Sequence, residues 1–170
     1  MNWIGAILLA ITGYLVGSEY ANKLVARPKT IRLWKNSLLI LEAEIVYSQA
    51  TVKDACEFIS SQIDSPVAEF YHNISVRIRD GSVDLYEVWV SEMNNAWKEL
   101  SLKNEDREIL NQFGRTLGQH DLTQQKKYIQ LAIVHLENKH QEAIEQNQKY
   151  GKMTRGLGLL GGIFVALLLI

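Results

Sequence analysis

The chain has one cysteine and two prolines in 170 residues, and its formal net charge is only -1. A single thiol, Cys56, excludes an intramolecular disulfide, so this is no stapled secreted scaffold. So few prolines, at Pro28 and Pro66, argue against turn-rich β structure and for long helices. A charge near zero gives no reason to expect nucleic acid. There is no His-Glu-x-x-His zinc motif, no nucleophile elbow and no phosphate loop, because Gly114-Arg-Thr-Leu-Gly118 lacks the closing Gly-Lys-Ser/Thr. Internal repeats and low-complexity linkers are missing too.

Two stretches are without charge altogether. Asn2 to Ser18 carries none, and Gly156 to Ile170 has no polar side chain at all. The first is at the short limit for a membrane span, which needs roughly 17–25 residues. Trp3 and Tyr20 stand near its ends, where interfacial aromatics belong. The second covers about 22 Å at about 1.5 Å per residue, against a hydrocarbon core of about 30 Å, so it needs local thinning or flanking residues such as Met153 and Thr154. A cleaved signal peptide competes for the first stretch, but such peptides carry positive charge ahead of the apolar run. Here Lys23, Arg27, Lys29, Arg32 and Lys35 follow it, and Lys149, Lys152 and Arg155 precede the second run. Both flanks place the middle of the chain in the cytoplasm and both termini outside. The expected organisation is an N-terminal transmembrane anchor at 1–19, a cytoplasmic helical domain at 28–150 and a C-terminal anchor at 153–170. Gly13, Gly17 and Ala21, with Gly158, Gly162 and Ala166, form small-residue rows that permit close helix approach in lipid.

The middle reads as an all-α domain of about six helices. Trp34, Leu38, Leu41 and Ile45 recur at helical spacing from about Thr30 to Ser48. Thr51, with Asp54 three residues on, caps a second helix running to about Ser61. Ser65 reads as a cap with Pro66 at the first helical position of a third helix, ending near Arg79. Asp80-Gly81-Ser82 is a turn. A fourth helix spans about Val83–Leu100, where Leu85, Trp89, Met93 and Trp97 step by four as a core stripe. A fifth runs from about Asn104 to Phe113, with Gly114 as its C-cap. Asp121, with Gln124 three residues on, starts a last helix that reaches about Lys149 and is free to continue into the apolar tail.

The titratable residues make no case for an enzyme. His135 and His140 do not share a helix face, and Glu137-x-x-His140 is half of a di-iron pattern without its second copy. Cys56 reads as a small buried hydrophobe. Asn73-Ile-Ser75 is a glycosylation sequon that would face the cytoplasm. No cofactor or metal is expected.

Leu38-Leu-Ile-Leu-Glu-Ala-Glu-Ile-Val-Tyr47 resembles the first helix of the stage III sporulation protein AB family of endospore-forming bacteria. In that family a Leu-Glu-x-Glu-Ile-x-Tyr core precedes a Thr-Pro-Leu-like turn. Here the turn is Gln49-Ala-Thr-Val52, without the proline. Phe113-Gly-Arg-Thr-Leu-Gly-Gln-His-Asp121, Gln125, the long helix, Lys149-x-x-Lys152 and the glycine-rich tail look like the family's C-terminal half. The resemblance implies a compact bundle similar to the cytoplasmic domain of the type II secretion platform protein, the F component. It implies a non-enzymatic platform in the mother-cell membrane around the forespore. There it would dock a secretion-type ATPase, stage III sporulation protein AA, and couple it to a channel linking the two cells. Other channel subunits and membrane lipid are the further partners, and a homo-oligomer is compatible with the pattern. The contact candidates are Glu42, Glu44, Gly114, Arg115, Gly118 and Asp121. The membrane-orienting residues are Lys23, Arg27, Lys29, Lys149, Lys152 and Arg155. A generic membrane-tethered adaptor with another cytoplasmic partner fits the same residues.

Overall fold

The computed structural model describes the backbone of residues 2–78, 84–119 and 121–169, and side chains at 12, 15, 18, 19, 22–78, 84–119 and 121–150. Among the described residues every element is helical: α1 (Asn2–Glu42), a π-helical turn (Ala43–Tyr47), α2 (Val52–Gln62), α3 (Val67–Arg77), α4 (Leu85–Leu100), α5 (Asn104–Thr116) and α6 (Leu122–Leu169).

The first helix differs from the expected one. It has no start near Thr30 but runs unbroken from Asn2 through Pro28 to Glu42. An internal proline removes one backbone hydrogen bond. The packing of Ile31, Trp34, Leu38 and Leu41, all fully buried, holds the helix beyond it. Past Glu42 the helix widens by one residue per turn, with Ser48 N donating to the Ala43 carbonyl at 3.1 Å. Gln49 then takes φ 52°, and the chain turns into α2.

Capping follows the sequence at some ends and departs from it at others. Thr51 Oγ1 accepts from Asp54 N at 3.2 Å at the start of α2, and Asp121 Oδ1 accepts from Gln124 N at 2.8 Å at the start of α6, both as expected. Asp84, whose Oδ1 accepts from Tyr86 N at 2.8 Å, caps α4. Ser65 does not cap α3. Its hydroxyl donates to the Glu69 carboxylate at 2.6 Å, Pro66 itself is the cap residue, and the Ser65–Pro66 peptide is cis. The expected turn at 80–82 lies outside the described residues. Helix α6 continues past Gly151 as one helix into the apolar tail.

The chain divides into two compact units, Lys29–His140 and the pair of segments Met1–Pro28 with Gln141–Ile170. The first unit holds an aromatic core. Trp34 packs on Phe70 with centroids 4.8 Å apart, Phe70 on Trp89 at 4.8 Å and Trp89 on Phe113 at 5.6 Å, all three pairs edge to face. Tyr71 closes the cluster, hydrogen-bonded with the Ser37 hydroxyl at 3.0 Å. Of the expected α4 stripe, Trp89 and Met93 are fully buried, while Leu85 and Trp97 are half-buried. In the second unit Arg27 is buried, 3.2 Å from Gln146 Oε1 and 3.7 Å from Glu142 Oε1.

Among the described residues no helix is long and apolar enough to cross a membrane. The two expected spans, and the small-residue rows within them, fall almost wholly on positions whose side chains are outside the described set.

Candidate functional site

The candidate contact residues fall at the end of the Lys29–His140 unit where α1 stops and α6 starts. Glu42 is buried there, and its Oε1 accepts from Gln130 Nε2 at 2.9 Å. It ties α1 to α6 instead of standing on a solvated edge. Glu44 is half-buried on the π-helical turn, where its carbonyl accepts from Ala50 N at 2.9 Å.

Gly114 is not a C-cap. Helix α5 passes through it and ends at Thr116, because the glycine is a packing position. A Cβ there would stand 2.4–2.6 Å from three atoms of the Trp89 indole. The left-handed residue of this connection is Gly118, at φ 74°. Its N–H donates to Gln125 Oε1 at 3.2 Å, so the side chain of buried Gln125 shapes the loop from α6. Arg115 is exposed. Its guanidinium carbon sits 5.2 Å above the Tyr86 ring, and Nη2 donates to the Tyr86 hydroxyl at 3.0 Å. That hydrogen bond first, helped by the Glu108 carboxylate's charge, raises the Arg115 pKa. Arg115, Gly118 and Asp121 therefore share this end, while Gly114 belongs to the core behind it.

Tyr47 and Lys126 also belong to this end, although neither was among the contact candidates. Lys126 Nζ lies 5.5 Å from the Tyr47 ring centroid and donates to its hydroxyl at 3.3 Å. The residues are 79 apart in the chain, and only the pairing of α1 with α6 brings them together.

The orienting cations have mixed settings. Lys23 is exposed and 3.5 Å from Glu19. Lys29 and Lys149 are exposed, Lys149 lying 5.2 Å from the Tyr150 ring. Arg27 is buried, as described above, and Lys152 and Arg155 lie outside the described side chains.

The remaining reactive side chains have structural settings. Cys56 is fully buried, and burial pushes its thiol up to about 12. Glu137, from the half-motif with His140, forms an ion pair with Lys35. His140 is held below its ordinary value by burial first, then by the charges of Lys35 and Arg32. Among the described residues no group of three or more His, Cys, Asp or Glu side chains is placed to hold a metal ion. A cavity of about 80 Å³ lies between α5 and α6, lined by Ile109, Phe113, Tyr128, Leu131, Ala132 and His135 among others. It has room for an inserted side chain and is too small for a cofactor.

Residues 2–170 match the family model described as stage III sporulation protein AB. The chain belongs to that family. It is 35% identical over 169 residues to stage III sporulation protein AB of Bacillus subtilis (strain 168), covering 99% of each chain. It is also similar to a solved structure of stage III sporulation protein AB, with 38% identity and a TM-score of 0.68, covering 74% of this chain and 98% of that one. The Leu38–Tyr47 and Phe113–Asp121 stretches both lie within the matched region.

Proposed function

We propose that the protein is a non-enzymatic membrane platform of the sporulation channel between mother cell and forespore. In this reading residues 1–19 and 153–170 are transmembrane anchors, with both termini outside and the helical domain, about residues 28–150, in the cytoplasm. The domain is similar to the type II secretion F domain. It docks a secretion-type ATPase, stage III sporulation protein AA, and couples it to the channel in the mother-cell membrane. The observation that carries the reading is the continuity of two helices. Helix α1 joins the first apolar run to the Trp34–Leu41 core stripe, and α6 joins Gln125, Ile129 and Leu136 to the second. Family membership and the basic flanks at both apolar runs support the same reading.

The test is binding of the purified full chain, reconstituted in membranes, to its cognate ATPase. Absence of binding sinks the docking role. Orientation is tested separately with single cysteines in a Cys56→Ala background. Labelling of a position such as residue 98 from outside intact cells would overturn the cytoplasmic placement.

A further inference from the structure

Helix α1 is apolar on two sides. Its core side buries Trp34, Leu38 and Leu41, yet Leu39 beside them is 50% exposed. The cross-links to α6 show where Leu39 stands. It follows Lys35 by four residues and precedes Glu42 by three, while Val134 follows Gln130 by four and precedes Glu137 by three. Lys35 pairs with Glu137, and Glu42 with Gln130. Residues three and four apart share a helix face, so Leu39 and Val134 lie side by side along the α1–α6 seam, between its two cross-links. Val134 is 56% exposed, so the two form the outer edge of that seam. Leu131, one turn before Val134 and 50% exposed, lines the cavity of about 80 Å³ between α5 and α6, with Ile109, Phe113 and Tyr128. These residues and the cavity make one apolar band across α1, α6 and α5.

The charges along these helices have one sign. Among the described residues, the exposed charged side chains on α1 from Lys29 onward and on α6 up to His140 are Lys29, Arg32 and Lys127. The acids in the neighbourhood are engaged, Glu137 by Lys35 and Glu105 of α5 by Lys139, while Glu108 of α5 lies by the Arg115 charge. Helix α2 has the reverse sign. Asp54, Glu57, Phe58 and Ser61 are all exposed, and their spacing puts them on one helix face. Asp54 and Glu57 are the exposed charges of that helix. Lys53 is half-buried and, as the chain neighbour of Asp54, points another way. Phe58 is thus an exposed aromatic ring framed by two carboxylates.

We infer that copies of this chain pack against one another through these two surfaces, the α2 face of one copy on the Leu39–Val134–Leu131 band of the next. The Phe58 ring enters the mouth of the cavity against Leu131, and Glu57 reaches Lys127, one turn before Leu131. A second copy is the occupant because the chain itself carries the matching surface: an aromatic ring framed by acids, opposite an apolar band bordered by cations. The apolar groups hold the contact, and the charges fix its orientation. The two surfaces differ, so each pair of copies leaves one of each kind unused, and the contact repeats from copy to copy instead of stopping at a dimer.

The experiment uses the full chain purified in mild detergent. In a Cys56→Ala background, a chain carrying Glu57→Cys is mixed with one carrying Lys127→Cys and treated with a short bis-maleimide. The mixture is expected to give a cross-linked pair, and neither chain alone to give one. Sedimentation of chains that keep Cys56 measures the strength of self-association. Phe58→Ala and Glu57→Lys are each expected to weaken it about tenfold. Adding Lys127→Glu to Glu57→Lys is expected to restore most of the loss, which a misfolded chain would not show. Val76→Ala, at an exposed apolar residue of α3, is expected to change nothing. A wild type that stays monomeric at all concentrations overturns the inference, and loss of ATPase binding or of adsorption to phosphatidylglycerol vesicles in Leu131→Asp would then give the band to that occupant. Cross-linking of Lys127→Cys chains to each other overturns it in favour of a symmetric α6 contact.

Discussion

The Trp89 indole lies directly against the bare α-carbon of Gly114, so close that a Cβ on that residue would be 2.4 Å from Trp89 Cδ1. Helix α5 approaches α4 as closely as a glycine allows, and Trp89 fills the space while packing on Phe70 and Phe113. The glycine is a condition of the aromatic core.

Gly114→Ala is therefore expected to destabilise the fold. Overpacking costs about 1–3 kcal/mol, only partly offset by the roughly 1 kcal/mol by which alanine is the better helix former. A second change, Trp89→Phe, makes room and should recover part of the loss when combined with Gly114→Ala. Gly118→Ala acts by another route, forcing an ordinary residue to φ 74° at about 1 kcal/mol. Thermal unfolding of the full chain in detergent, followed by circular dichroism, checks all of these. A higher melting temperature for Gly114→Ala would mean that the contact is looser than described.

Cys56 should resist thiol reagents until the protein unfolds. Burial raises the thiol pKa to about 12, which leaves little thiolate at pH 8, and the side chain is fully buried. Maleimide labelling of the native chain should be slow and should rise steeply at the urea concentration where the aromatic core melts. Rapid labelling under native conditions would contradict the burial.

What the sequence disclosed depended on whether the signal was local. Helical spacing exposed the core stripe of Trp34, Leu38, Leu41 and Ile45, because a buried face must recur about every 3.6 residues. Thr51 and Asp121 were readable as caps because a cap is a contact within three residues. Gly114 misled, since a glycine late in a helix looks like a stop, and only the approach of α4 shows why it is needed. Ser65 misled because its hydroxyl had a nearby carboxylate to bind in place of a backbone N–H. Of the contact candidates, Arg115, Gly118 and Asp121 came together, while Glu42 turned inward to Gln130. Tyr47–Lys126 and Tyr86–Arg115 were invisible because each pair spans two helices far apart in the chain.

Acid should weaken the Lys29–His140 unit through His140. Its pKa in the folded protein is lowered from the ordinary 6.5, by burial and by the nearby Lys35 and Arg32 charges. The unfolded chain therefore takes up this proton first. The corresponding stability is fully present above pH 6.5 and drains as pH falls from there through the folded value. The neighbouring Glu137 is engaged with Lys35. Urea midpoints between pH 8 and pH 5 should fall more steeply for wild type than for His140→Gln, which cannot take the charge. Parallel curves for the two proteins would remove His140 from the account.

Arg27 and Glu142 offer the most discriminating test of how α1 and α6 are joined in the unit that contains both apolar runs. Arg27 is 3% exposed, whereas the Glu142 side chain is 37% exposed, so the two charges are desolvated unequally. Removing the acid leaves a buried guanidinium with less compensation, and Glu142→Ala is expected to cost about 1–2 kcal/mol, below the 3–5 kcal/mol of a fully buried pair because water still reaches the site. Arg27→Met keeps the side chain's length and needs no partner, so it should be close to neutral. Combining it with Glu142→Ala should abolish most of the acid's effect. Urea unfolding of the four proteins gives the coupling. Additive losses would show that Arg27 and Glu142 act independently. The same Arg27→Met chain also tests the orientation argument, since Lys23, Lys29, Arg32 and Lys35 still flank the first apolar run. Its topology should be unchanged, because a buried, paired cation contributes little to the positive flank on which the proposed orientation rests.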